Sequence, residues 1–101
     1  MLGRPQDMEI RFNIDPETGL PHIYAHGVTE AEVYQVLVRR GDDFRGTRDS
    51  RIKFGQTLAG RYLKVIYVPD EESDTLFVIT AYDLRDKALK AFRRRQRRQR
   101  P

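Results

Sequence analysis

The chain has no cysteine, so disulfides and thiolate metal sites are excluded, and nothing in it speaks to redox compartment. No apolar run approaches membrane-spanning length and no signal-peptide pattern opens the sequence, so a soluble, cytoplasmic protein is the expectation. Apolar residues are scarce, at 39% against 34% charged, which implies that part of the chain is solvated or extended. Acid is scarce at one end. From Arg85 to Pro101 nine Lys or Arg residues stand with a single acid, Asp86, for a charge of +8; residues 1–84 hold the other ten bases and fourteen acids. Past Phe92 no apolar residue remains. The basicity therefore belongs to the C-terminal segment, and such a block favours phosphate backbones or an acidic partner surface.

The 101 residues suit one domain with a small core. Residues 1–7 carry Gly3, Pro5 and few apolar groups and read as a disordered lead, residues 8–92 as the domain, and residues 93–101 as a basic tail. The domain is organised around a hairpin. Arg61 to Val68 is rich in Tyr, Val and Ile, which suit a pleated, half-buried surface. Pro69-Asp70-Glu71-Glu72-Ser73-Asp74 is a polar turn whose proline should break the ladder. Thr75 to Tyr82 is apolar on both faces, Leu76 and Val78 on one, Phe77, Ile79 and Ala81 on the other, so a central strand covered on both sides is expected.

Met8 to Ile14 alternates apolar and polar residues and reads as a strand with one buried face. Asp15 to Gly19 is a turn, and Leu20 to His26 a short helix with Pro21 in its first turn and Gly27 as its cap. Thr29-Glu30-Ala31-Glu32 is a capping box. It opens a helix to about Arg40 with Val33, Val36 and Leu37 on its core face, Arg39 and Arg40 at the negative end of the dipole, and Gly41 as its stop. Gly41 to Ser50 reads as a polar loop, Arg51 to Thr57 as a third strand, and Leu58-Ala59-Gly60 as a turn. Asp83 suits an N-cap for a last helix with Leu84, Ala88, Leu89, Ala91 and Phe92 on its apolar stripe, while Arg93 to Arg100 has nothing to bury. The expected fold is α+β, in the order β-α-α-β-β-β-α, with a largely antiparallel sheet of about four strands and about three helices.

Three pieces recur together in this order in a known family. They are His22-Ile23-x-x-His26-Gly27-Val28-Thr29-x-x-Glu32-Val33, then Gly55-Gln56-Thr57-x-x-Gly60-Arg61-Tyr62-Leu63-x-Val65, then Val78-Ile79-Thr80-Ala81. Over residues 10 to 92 the chain resembles the BrnT-like toxins, small proteins of bacterial toxin–antitoxin pairs with a RelE-like fold, and a related group of small domains of unknown function. The resemblance implies an endoribonuclease that cuts mRNA without a metal or cofactor and is neutralised by an antitoxin protein. In that chemistry the ribose 2′-hydroxyl attacks the adjacent phosphate while the protein supplies a base, an acid and positive charge. The family usually continues Ile-Thr-Ala with Arg, where this chain has Tyr82; Arg85, one turn into the last helix, is the candidate substitute. The family's Trp-Asp pair near the N-terminus is replaced by Asn13-Ile14-Asp15-Pro16.

Arg61, Tyr82 and His26 are the catalytic candidates, and Arg51, Lys53, Lys64, Arg85, Arg93, Arg94 and Arg97 the RNA-binding ones. Each has a plainer reading. His22 and His26 lie four apart without a third ligand, so packing and helix capping explain them more simply than a metal. Arg51 and Lys53 share one strand face and suit either a basic patch beside an aromatic or a solvated sheet. Lys64 and Arg61 fall on opposite faces by alternation. Tyr82 suits a phosphate contact, a stacked base or a half-buried ring with a wet hydroxyl. The partners expected are RNA, on or off the ribosome, and an antitoxin; no membrane is expected, and a homodimer is open. The alternative is a non-catalytic RNA- or protein-binding domain on the same scaffold.

Overall fold

The computed structural model describes residues 9–99. The expectations for residues 1–7 and for the last two residues lie outside the described part. Strand β1 (Glu9–Phe12) leads to a 3-10 helix (His22–His26), helix α1 (Glu30–Val38), strands β2 (Asp42–Arg45), β3 (Arg51–Gln56), β4 (Tyr62–Asp70) and β5 (Thr75–Asp83), and helix α2 (Asp86–Arg98). The sheet order is β1-β5-β4-β3-β2. β2, β3, β4 and β5 pair antiparallel as sequence neighbours, while β1 lies parallel to β5. The class is α+β, with five strands in a mixed sheet and two α-helices.

Three differences from the expected order have local causes. The stretch 41–50 is not all loop: Asp42-Asp43-Phe44-Arg45 forms an edge strand, held by β3 and by side chains rather than by its own propensity. Tyr67 Oη donates to Asp43 Oδ2 at 2.5 Å and Arg51 Nε to Asp43 Oδ1 at 2.8 Å. Burial, then the Asp43 carboxylate, raises the Tyr67 hydroxyl above its ordinary range. The short helix after Pro21 is 3-10, closed by Gly27 in the left-handed region at φ 69°. Pro69 does not break the ladder; it stays in β4 opposite Leu76, next to the turn.

The capping box forms as expected, with the Thr29 hydroxyl accepting from the Glu32 amide at 3.1 Å and Glu32 Oε1 accepting from the Thr29 amide at 3.0 Å. The far end of α1 is closed differently. Arg39 is the C-cap in extended conformation, and the Lys53 ammonium donates to the Leu37 and Arg39 carbonyls at 3.0 and 2.7 Å. Gly41 is not the stop. It passes so near the Phe54 carbonyl that no Cβ would fit.

Val33, Val36 and Leu37 of α1 and Ile23 of the 3-10 helix pack with Val28 on one face of the sheet, against Leu63, Val65, Tyr67, Leu76, Val78 and Ala81. Ala81 joins Leu76 and Val78 because the β4–β5 register shifts between Ile66 and Tyr67, opposite the extra residue Ile79. β5 is central, as expected, but not covered on both sides: Phe77 remains 41% exposed on the opposite face. Gly55 lets α1 approach, since a Cβ there would lie 2.8 Å from Val36 Cγ1. Gly55→Ala should therefore cost about 1–3 kcal/mol by overpacking. Thermal melting checks this, and adding Val36→Ala should recover part of the loss.

Helix α2 does not begin at Asp83, which is the last residue of β5; its N-cap is Arg85, without a side-chain cap bond. It also does not end at Phe92. The Arg-rich run continues helical to Arg98, because two side chains beyond Phe92 are pinned to the sheet. Arg95 Nε meets Asp42 Oδ2 at 2.6 Å, and Gln96 bridges Gln56 Oε1 at 2.8 Å and the Tyr62 hydroxyl at 3.2 Å. Phe92 is 3% exposed and sits edge-on to Phe54 and Tyr62. Among the described residues no helix is long and apolar enough to cross a membrane.

Candidate functional site

Antiparallel pairing places Phe54 of β3 opposite Lys64 of β4, and Lys64 opposite Tyr82 of β5. These three side chains form a row on the face away from α1. β1 stops at Phe12, opposite Val78, so the last part of β5 lacks a strand neighbour on that side. The 3-10 helix packs against β5 and carries His26 to Tyr82. Their rings lie edge to face, with centroids 5.6 Å apart. His22 stacks behind, 5.3 Å from His26 and nearly perpendicular. The Lys64 ammonium sits 5.5 Å from the centre of the Tyr82 ring. Arg85 and Ala88, at the start of α2, close the cleft opposite His26. Its volume is about 550 Å³, open to solvent, with Phe54 and Leu84 as apolar lining.

Arg61 does not face this cleft with a free guanidinium. Its Nε donates to Asp83 Oδ1 at 2.8 Å, and its Nη1 to the Gly27 carbonyl at 2.7 Å and to Glu32 Oε1 at 3.1 Å. Its Nη2 reaches the His26 carbonyl at 3.4 Å. One side chain thus ties the end of β5, the α1 cap and the backbone that carries His26. The Arg61 hydrogen bond holds Asp83 below its ordinary carboxylate range. Burial pushes Glu32 up, but the Thr29 amide and Arg61 outweigh it, so Glu32 also ends below its ordinary value.

The remaining cationic candidates divide. Lys64 and Arg85 are in the cleft, and Arg85 also reaches Asp83 Oδ2 at 3.5 Å. Arg51 is paired with Asp43, and Lys53 is spent on the carbonyl end of α1; burial lowers the Lys53 ammonium below its usual range. Both lie on the α1 face, away from Tyr82. Arg93, Arg94 and Arg97 are exposed on α2, with Arg93 over the Tyr62 ring at 5.8 Å. Among the described residues no three His, Asp or Glu side chains gather into a metal-binding group. Phe54 and Ala88 were not singled out as site residues in the sequence. Phe54 looks like an ordinary strand residue until its register with Lys64 is known, and Ala88 like one more member of the helix stripe.

No protein-family model, curated protein or solved structure matches this chain significantly. The functional reading therefore rests on the cleft and on the sequence motifs.

Proposed function

We propose that this chain is a metal-independent endoribonuclease of RelE-like fold, resembling the BrnT-like toxins and acting as the toxin of a toxin–antitoxin pair. The observation that carries the reading is the convergence of His26, Tyr82, Lys64 and Arg85 on one open cleft beside the Phe54 ring. An imidazole is suited to take and return a proton near neutral pH. In this reading His26 takes the proton of the ribose 2′-hydroxyl. The 2′ oxygen then bonds to the adjacent phosphorus as the bond to the 5′ oxygen breaks, giving a 2′,3′-cyclic phosphate and a 5′-hydroxyl end. The Tyr82 hydroxyl protonates the departing oxygen, and Lys64 and Arg85 stabilise charge building on the phosphate oxygens. Phe54 offers a ring against which an unpaired base can stack. Arg85, which lines the cleft, is the candidate substitute for the family arginine after Ile-Thr-Ala, and Arg61 holds the His26 backbone rather than substrate.

The test is cleavage of a single-stranded RNA by the purified chain, with the ends of the products identified. Cyclic phosphate ends are expected. His26→Ala should lower the rate about 100-fold or more, and Tyr82→Phe about tenfold or more. Induction of the chain in bacteria should arrest growth, and His26→Ala should relieve the arrest. RNA retained without cleavage would overturn the nuclease reading and leave the non-catalytic binding domain.

A further inference from the structure

The outward side of α2 carries six exposed cations, and the cleft does not use it. At about 3.6 residues per turn, Ala88, Leu89, Phe92, Arg95 and Gln96 fall on the side turned to the sheet. Lys90, Arg93 and Arg97 run along one flank of the opposite side, and Lys87, Arg94 and Arg98 along the other. All six are exposed, and none has an ion-pair partner among the described residues, with Arg93 the one whose guanidinium leans over the Tyr62 ring. The pins through Phe92, Gln96 and Arg95 hold the helix in place, so these charges are presented on a preformed rod.

We propose that this side of α2 binds the phosphate backbone of double-helical DNA, at a site separate from the cleft. Three features choose that ligand. A protein interface of useful affinity has an apolar centre, and between the two flanks there is no apolar side chain. A single strand presents one line of phosphates, whereas cations on both flanks match the two phosphate walls of a groove. A helix about 10–12 Å across with its side chains fits the B-form major groove, about 12 Å wide. The deep, narrow major groove of A-form RNA does not admit it. Gln96 is turned to the sheet, and the outward face carries no Asn or Gln to read base edges. Contacts to the phosphates are independent of base sequence, while an arginine that reaches a base edge would favour guanine.

The test is fluorescence anisotropy on the full chain with a labelled DNA duplex of about 20 base pairs. The matching single strands of DNA and RNA and an RNA duplex compete at fixed salt. The DNA duplex should bind tightest, and its affinity should fall with salt at a log–log slope of about 5, for five or six phosphates. Arg94→Gln/Arg97→Gln should weaken binding about tenfold and lower that slope by about 2. Lys87→Gln/Lys90→Gln should act in the same direction, confirming that the helix and not one end of it is the site. His26→Ala should leave binding unchanged, so failure of the nuclease reading does not touch this one. Displacement of the labelled duplex by the single strands or the RNA duplex as efficient as by unlabelled DNA duplex would overturn the proposal. So would displacement by polyglutamate as efficient as by duplex, or an unchanged slope in both double variants.

Discussion

Phe92→Ala should destabilise the chain by about 3–5 kcal/mol, a large share of the 5–15 kcal/mol typical of a domain. Phe92 is the one buried side chain of α2, and the rings it meets, Phe54 and Tyr62, come from two different strands. The other ties of the helix are polar. They hold it in register but bury little apolar surface, so they do not replace a lost ring. The functional consequence is specific. α2 carries Arg85 and Ala88 into the cleft, so loosening the helix opens that wall while leaving His26, Tyr82 and Lys64 on the sheet side. Urea unfolding should show a lower midpoint. Hydrogen exchange in the variant should rise first in Asp86–Arg98, with β4 and β5 protected until global unfolding. A loss under about 1 kcal/mol would mean that α2 is held mainly by its polar pins.

Arg61→Ala should have the next largest effect, about 2 kcal/mol, because it strands two carboxylates and two backbone carbonyls at once. The figure is reduced for solvent access, since Arg61, Glu32 and Asp83 all keep about a quarter or more of their side-chain surface exposed. The pH dependence has a definite sign. Glu32 and Asp83 have their pKa values lowered in the folded chain, from ordinary values of 4.5 and 3.8. The stability this gives is complete above those ordinary values and is lost as pH falls through the folded ones. Without Arg61, the Asp83 part should shrink to what Arg85 supports, and the Glu32 part to what the Thr29 amide supports. The variant should thus lose less stability than the parent on acidification from neutral pH. If the nuclease reading holds, Arg61→Ala should also lower the cleavage rate without removing it, because His26 loses a backbone anchor and not its imidazole. Arg61→Lys should not restore the effect, since an ammonium cannot span Asp83, Glu32 and Gly27 together.

The capping box at Thr29, the left-handed glycine at Gly27 and the β4–β5 hairpin were all legible from local chemistry. Each depends on residues within a few positions of one another, which a sequence displays directly. The catalytic candidates were legible unevenly. His26 and Tyr82 were singled out from different segments, and folding brings their rings together. Arg61 was singled out as a catalytic candidate, and the fold gives it four partners from three segments. Arg51 and Lys53 drew notice as neighbours on one face, but that face is the one α1 covers.

What the order of residues settled is the class of the chain, its main local elements and the sharp division between an acidic body and a basic end. Tertiary structure alone decided the rest. β2 exists because Tyr67 and Arg51 hold Asp43, although its own residues are poor strand formers. β1 joins β5 in parallel across more than sixty residues of chain, a pairing that no local pattern encodes. The shift between Ile66 and Tyr67 turned Ala81 inward, and Gln56, Tyr62 and Asp42 extended a helix that its own composition would leave in solvent. The reason is common to all of these. Periodicity reports what a residue does relative to its chain neighbours, whereas register, edge pairing and the partners of a charge depend on which distant segments the core brings alongside.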